Sequence, residues 1–547
     1  MALSATTIFY NDTGGSDSAN GGAFDPGQTA GMFADGAATS ATGNSPVFSS
    51  ASYNFAAGDV GHWVYIASGT NWTPGWYQIA SVASNVATLT ASVGNAVLVG
   101  HRPSTVAGCA TVASPTGATW SIDYSRSTTA RIAFTDLASA GAGLTASSAG
   151  NPIGKQMVGN AILIASGTNF TAGLYVLVSV AAGVGTFVGA GNMTSGVGSG
   201  GTGGMGGAFA TPGKAASFQV GGNDFLIKAG TYACTSISTN VAGGMLSPVA
   251  GTSTDSTRFV GFQTIPGDNG THPLLQASGA ISAFTMFTVA AGVRVENIDF
   301  DCASKTTSRA VGGAAASVFV RCKFLNCTNS AVSGVNTMQF LFCEATGCAT
   351  SAAFITGSYF YCSAYSNTVT AFAPAASTMI GCVAANNSGA SSDGFAGSTS
   401  NVYIGCVAYN NGRSGFLWTN SAVACQAINC IAVNNAAYGF NVSAASNLMY
   451  FYNCAGYNNT TANFNTTNIS AFNMVGTITL PGDPFTNAAG NDFSLNSTAG
   501  AALRAAGIPG SSGSYKLPGL STNSYFDVGA SQHADPASLT APLARII

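Results

Sequence analysis

Glu296, Asp299 and Asp301 lie within six residues of one another, in a chain of 547 residues that holds only one other glutamate, Glu344. Carboxylates so close could act as an acid–base pair in glycan cleavage, or share a calcium ion. They are the candidate catalytic residues; Glu344 and Asp393 are the other acids of the same region. A second constellation, Cys322, Cys327, Cys343 and Cys348, reads C-x4-C-x15-C-x4-C, near a four-cysteine zinc pattern. Trp418 and Arg413 could give a sugar a stacking face and a bidentate donor, and Trp63, Trp72 and Trp76 form another aromatic group. His62, His101, His272 and His533 lie apart from all of these, and no Ser-His-Asp or phosphate-loop signature appears.

The elements that would position these residues show in the spacing of the cysteines. Cys302, Cys322, Cys343, Cys362, Cys382, Cys406, Cys430 and Cys454 follow in steps of 20, 21, 19, 20, 24, 24 and 24 residues. Four residues after each cysteine from Cys322 onward stands Asn326, Gly347, Ser366, Asn386, Asn410, Asn434 or Asn458; the next position reads Cys327, Cys348, Asn367, Asn387, Asn411, Asn435 and Asn459. Gly394-Phe395, Gly415-Phe416 and Gly439-Phe440 recur with the same period. Columns that move together mark a solenoid in which each turn buries its face on the next. Asparagine suits a stacked turn, because it tolerates left-handed angles and its amide can bond to its counterpart one coil away. Two adjacent coils with cysteines at positions zero and five produce the zinc-like spacing automatically, so the cysteines read as unpaired interior thiols and no metal or cofactor is expected.

This pattern resembles the right-handed parallel β-helix proteins of the pectin-lyase-like superfamily, over about residues 220–480 and most closely from Cys302 to Asn459. The superfamily includes polysaccharide lyases and hydrolases, bacterial adhesins and trimeric bacteriophage tailspikes. The resemblance implies an all-β chain: a right-handed parallel β-helix with about 20–24 residues per coil, preceded by small β-rich modules.

A separate duplication lies upstream. Val60-Gly-His-Trp-Val-Tyr-Ile-Ala-Ser-Gly-Thr-Asn-Trp returns 98 residues later as Val158-Gly-Asn-Ala-Ile-Leu-Ile-Ala-Ser-Gly-Thr-Asn-Phe, apolar runs around a Gly-Thr-Asn turn that predict a β-hairpin in each copy. A glycine-rich linker is expected from Gly196 to Gly207. Asp224-Phe-Leu-Ile-Lys-Ala-Gly-Thr-Tyr reads as the first strand and turn of the solenoid. The expected domains are a β module over 1–110, a duplicated second module with its linker over 111–210, the β-helix over 211–480 and a loop-rich cap on the last coil over 481–547.

If the repeating cysteine points inward, alternation sends the residues two before and two after it inward as well. The rows three before and three after then face outward: Phe319, Phe340, Tyr359, Met379, Tyr403 and Phe451, and Tyr365, Tyr409 and Tyr457. Both rows are apolar, which predicts a cover. No segment between Cys302 and Asn459 is long enough to supply one, so these residues are expected to form an oligomer interface, three rods side by side as in the tailspike branch. Asp301 with Arg321, and Lys323 with Glu344, should pair across adjacent coils.

Charged residues make up 6% of the chain, against roughly a quarter in ordinary soluble proteins. The net charge of −3, with no basic patch, argues against nucleic acid as a partner, and no apolar run is long enough for a membrane span. The start, Met1-Ala-Leu-Ser-Ala-Thr-Thr, lacks the basic flank and apolar core of a secretion signal. The expectation is a homotrimeric bacteriophage virion protein of tailspike or tail-fibre type, assembled in the host cytoplasm. Its amino-terminal region would meet other virion proteins and its rod would adhere to host surface polysaccharide. A polysaccharide lyase or glycoside hydrolase is the alternative, and a capsid-decorating or surface-adhesin protein a third reading.

Overall fold

The computed structural model describes residues 3–38, 47–90, 95–99, 102–106, 115–252, 255–268, 270–334, 337–355, 357–397, 400–419, 424–443, 449–465, 467–468, 473–504, 506–507 and 527–530; Cys109, His101 and His533 lie outside them. The chain forms two compact units, Met1–Gly279 with Ala290–Ile298, and Ala280–Val289 with Asp299–Ile547.

The second unit is built from coils, each laying one short strand on each of three parallel sheets. The repeating cysteine sits between two of these strands. Before it run Ser317–Val320, Gln339–Leu341, Ser358–Phe360, Thr378–Ile380, Val402–Ile404, Cys425–Ile428 and Met449–Tyr452. After it run Lys323–Leu325, Glu344–Thr346, Ser363–Tyr365, Val383–Ala385, Val407–Tyr409, Ile431–Val433 and Ala455–Tyr457. Two columns of left-handed residues bend the chain between sheets. One precedes the cysteine (Arg321, Phe342, Tyr361, Asn429 and Asn453, with Gly381 and Gly405); the other is the asparagine-rich position four after it. The asparagines there fit the αL region because their short side chains tolerate it.

The first of these corners corrects the reading of the faces. Alternation holds along a strand, but a left-handed residue between two strands resets it. The cysteines and the small row two after them, such as Ala345, Ala364, Ala384 and Ala408, point inward as expected. The row three before also points inward: Phe319, Phe340, Tyr359, Met379, Tyr403 and Phe451 have no exposed surface. They are core, and the interface expected of them is withdrawn. Phe319, Phe340 and Tyr359 stack at 5.1 and 5.2 Å. From the third sheet, Phe354, Phe372, Phe395, Phe416, Phe440 and Phe464 form a second ladder with spacings of 4.7–5.0 Å. The two ladders meet edge to face, as Tyr403 meets Phe416 at 5.8 Å and 80°. Each such ring pair adds about 0.5–1.5 kcal/mol to what burial of the rings contributes.

Polar interior positions are paired coil to coil. The buried side chains of Asn367, Asn387, Asn411, Asn435 and Asn459 form one amide ladder, each Nδ2 donating to the next Oδ1 at 2.8–2.9 Å. The thiols behave alike: Cys343 donates to the Leu341 and Phe319 carbonyls at 3.5 Å. The twelve described cysteines are all free and buried, Cys322 and Cys343 in one column, Cys327 and Cys348 in the other.

The row three after the cysteine does face outward, and its cover comes from the same chain. Leu480, Phe485, Phe493, Leu495, Leu503 and Val528 pack onto Ala385, Val407, Ile431 and Val433, with Tyr365, Tyr409 and Tyr457 partly buried beneath them. Tyr409 meets Phe485 at 6.0 Å and Phe493 at 5.7 Å. The tail after Pro481, expected to cap the last coil, therefore runs over this side of the coils.

The first unit contains its own coil strands. Ile8–Asn11 pairs in parallel with Asp224–Lys228, and that strand with Thr257–Phe262 and then Val293–Glu296. Phe9, Phe225 and Phe259 stack inside at 4.9 and 4.3 Å. The solenoid ladder thus starts before the modules, and the modules are inserted between its first two strands. The hairpins Trp63–Thr70/Gly75–Ala83 and Ala161–Phe170/Gly173–Ala181 are the two copies of the duplication, with Ile66 opposite Gly75 and Ile164 opposite Gly173. The first lies in a closed barrel completed by Thr116–Asp123, a strand the sequence had placed in the second module. The second lies in a six-stranded sheet. The expected glycine linker is the strand Thr194–Met205 of that sheet, paired on both sides. Its glycines permit close approach: a Cβ on Gly204 would stand 1.7 Å from the Ala19 carbonyl oxygen.

Candidate functional site

The candidate acids stand at strand positions, and each is held by its surroundings. Glu296, in the first unit and 9% exposed, accepts from Arg294 Nε at 2.6 Å and Arg258 Nη2 at 3.4 Å. Arg258 is itself buried and lies 3.8 Å from Asp224, so a compact charge cluster surrounds that carboxylate. Asp299 and Asp301 belong to the second unit. Asp299 accepts the Lys323 backbone N–H at 3.2 Å. Asp301 accepts the Ala303 N–H at 2.8 Å and Asn326 Nδ2 at 3.0 Å, which ties one coil to the next. Lys323 and Glu344 pair at 3.7 Å, as their positions one after successive cysteines predict.

Asp393 is fully buried and receives Arg413 through Nε, at 3.0 Å, and Nη2, with the Ser414 N–H at 3.1 Å. This carboxylate raises the Arg413 pKa above its ordinary value, chiefly through the hydrogen bonds between them. Arg413 is thereby committed to a neighbouring coil. Trp418 is 2% exposed and stacks among Tyr403, Phe416 and Phe451, so its ring is core and not a sugar platform. Of the amino-terminal tryptophans, Trp72 and Trp76 are buried. The Arg126 guanidinium lies over the rings of Tyr10, Trp63 and Trp76 at 4.9, 4.6 and 5.2 Å, joining the first coil strand to the barrel.

One group escaped the sequence reading. In the corner column before the cysteines, Arg321, Phe342 and Tyr361 follow on successive coils. Phe342 is 44% exposed, the one aromatic ring among the exposed large apolar side chains described. It stacks on Tyr361 at 5.2 Å and 13°. Burial pushes the Tyr361 hydroxyl up to about 12, so it stays protonated at physiological pH. Tyr361 rests against Phe360 and Ile380, with Leu341 and Ile404 alongside. The signal was available: later members of this column are Gly381, Gly405, Asn429 and Asn453, residues typical of a left-handed corner.

Stacked parallel strands with left-handed corners define a right-handed parallel β-helix. No protein-family model and no curated protein matches the chain. Among solved structures it is similar to a rhamnogalacturonan lyase (17% identity over 46% of this chain and 65% of that one, TM-score 0.25) and to the pectate lyase Pel9A (18%, 60% and 91%, 0.34). It is also similar to tailspike protein gp49 of Acinetobacter baumannii bacteriophage Fri1, a capsular polysaccharide depolymerase (11%, 47% and 50%, 0.25). The chain spans less than two thirds of the first and the last of these proteins, 65% and 50% of their length.

Proposed function

We propose that this chain is a virion adhesion protein of tailspike or tail-fibre type, whose coils hold host surface polysaccharide without cutting it. The observation that carries the non-cleaving part is the state of the acids. Glu296, Asp301, Glu344 and Asp393 all accept structural hydrogen bonds or ion pairs. Glycoside hydrolysis needs one carboxyl group poised to give a proton and a second free to attack or to activate water. The virion placement follows from the resemblance, and the inserted modules, anchored to the solenoid through Ile8–Asn11, are the part assigned to other virion proteins.

The test is to incubate the chain with purified surface polysaccharides from candidate host bacteria, reading bound polysaccharide and new chain ends together. Binding with no new ends supports the proposal. The depolymerase reading keeps one specific candidate, since Asp299 is the least buried of the three clustered acids. New chain ends that vanish in Asp299→Asn would establish that reading instead.

A further inference from the structure

The cysteines of the second unit divide by what their sulfurs touch. In the column from Cys343 to Cys454, each S–H lies 3.3–3.6 Å from one carbonyl of its own coil and one of the preceding coil. Cys302, the first of the eight cysteines that the spacing set in that column, does not stand in it. Phe300 pairs with Phe324 and Asp301 with Leu325, so Cys302 lies at the corner that follows, beside Cys327 of the next coil. The Cys327 S–H points at the Cys302 Sγ, and the two sulfurs are 3.2 Å apart.

The column that Cys302 joins reads Cys302, Cys327 and Cys348, and then Asn367, Asn387 and onward to Asn459. From Asn367 on, amide-to-amide hydrogen bonds tie each coil to the next. Cys348 joins the two parts of the column, its backbone N–H donating to Asn367 Oδ1 at 2.8 Å. A thiol is a weak donor and a weak acceptor, so the first rungs are poor as hydrogen bonds. Two thiols can do what two amides cannot, which is to join covalently. A disulfide needs its sulfurs at about 2.05 Å and its Cα atoms at about 4.4–6.8 Å, and strands of adjacent coils run about 4.8 Å apart. Among the described residues no three Cys, His, Asp or Glu side chains are placed to share a metal ion, so the stacked thiols do not converge on one.

The turn beside the pair supplies the access. Cys302 and Cys327 have no exposed surface. The next residues, Ala303 and Ser304, and then Thr307, are left-handed with φ of 49°, 53° and 52°, although none is glycine or asparagine. The Ser304 N–H bonds to the Asn326 carbonyl and the Lys305 N–H to the Cys302 carbonyl, so this turn is held against the residues whose sulfurs meet. Ser304, Thr306 and Thr307 face solvent. A strained, solvent-facing turn opens locally at small cost, which admits a small oxidant.

We propose that Cys302 and Cys327 are a redox modification site, closed by oxidation into a disulfide that staples the first coil of the second unit to the next. The proposal does not depend on what the coils hold. Hydrogen peroxide is the class of oxidant that fits. The Cys302 thiol is oxidised to its sulfenic acid as one water leaves; the Cys327 sulfur then attacks it, the S–S bond forms and a second water leaves. The two electrons given up by the sulfurs reduce the peroxide O–O bond, and both thiol hydrogens end in water. Hydrogen bonds to the Cys302 and Cys348 thiols, with burial, hold the Cys327 thiol well above its ordinary range. Closure is therefore slow, which suits a staple formed once and not a rapid sensor.

The experiment treats the full chain, freed of reductant, with hydrogen peroxide, then counts thiols with N-ethylmaleimide after unfolding and maps linked peptides by mass. The parent is expected to fall from thirteen thiols by two, with Cys302 linked to Cys327. Its melting temperature should rise by about 5 °C and return on addition of dithiothreitol, which does not reverse methionine oxidation. Cys348→Ser should behave as the parent does, and Cys302→Ser should show neither the link nor the rise. A parent that keeps every thiol, at a peroxide concentration that oxidises free glutathione, overturns the proposal. A link that maps elsewhere, to Cys327 with Cys348 or between two chains through Cys109, overturns it too. An equal, reversible rise in Cys302→Ser would also contradict it.

Discussion

Single residues decide how the interior of the coils is filled. Asn411 accepts from Asn387 Nδ2 at 2.8 Å and donates to Asn435 Oδ1 at 2.9 Å and to the Ala384 carbonyl at 3.1 Å, so Asn411→Leu removes three buried hydrogen bonds, while Asn387 keeps the Ala364 carbonyl and Asn435 keeps the backbone N–H of residue 411. Each lost bond costs about 1 kcal/mol, and urea unfolding should show a loss of about 3 kcal/mol in total. A loss below about 1 kcal/mol would mean that the ladder relaxes around the gap. Phe340 makes the complementary case. Phe340→Ala should lower stability by about 3–5 kcal/mol, as a core cavity does, with no change of mass in light scattering. A change of mass at unchanged stability would restore the interface reading of that row. In the first unit, burial and the Arg131 charge lower the His62 pKa below its ordinary value of 6.5, against smaller raising effects of Asp59 and Asp123. The unfolded chain then takes up the proton more readily than the folded one. Stability is complete above about pH 6.5 and declines as pH falls below it. His62→Gln should narrow the difference in thermal unfolding between pH 5 and pH 7.5, and an unchanged difference would contradict the assignment.

At the scale of elements, the sequence is legible wherever a column repeats and misleading wherever a column bends. The cysteine period gave the coil, and the asparagines gave one corner together with the amide ladder beside it. The other corner shows only in the later coils, as Gly381, Gly405, Asn429 and Asn453, because Arg321, Phe342 and Tyr361 occupy it earlier and none of them resembles a turn residue. Carrying strand alternation through that corner turned an interior aromatic ladder into an outer stripe. The cover of Tyr365, Tyr409 and Tyr457 was missed for a different reason. It comes from beyond the last repeat, where Phe485 and Phe493 stand among turn residues with no period. The pair Phe485→Ala and Phe493→Ala should expose those tyrosines. Increased binding of an apolar dye and a lower melting temperature are the expected outcome, and unchanged dye binding would argue that the tail is not the cover.

At the scale of the whole molecule, the aromatic rows that suggested three packed rods are accounted for within one chain, the inner row as core and the outer row beneath the tail. The inserted modules were legible as a duplication, because both hairpins keep the Gly-Thr-Asn turn and the same register. Their place inside the solenoid was not, because Ile8-Phe9-Tyr10 is a single short apolar run far from the next coil strand. The candidate site was less legible than the fold. Acids, arginine and tryptophan named for their chemistry prove to be engaged in coil-to-coil contacts or buried, whereas the exposed Phe342 ring stands in a corner column that carries no chemical motif. The central claim, coils that hold polysaccharide and leave it whole, is tested most directly by following one mixture of chain and host polysaccharide over time. The account predicts a stable bound fraction with the polysaccharide's size distribution unchanged. A size distribution that shifts steadily downward would contradict it.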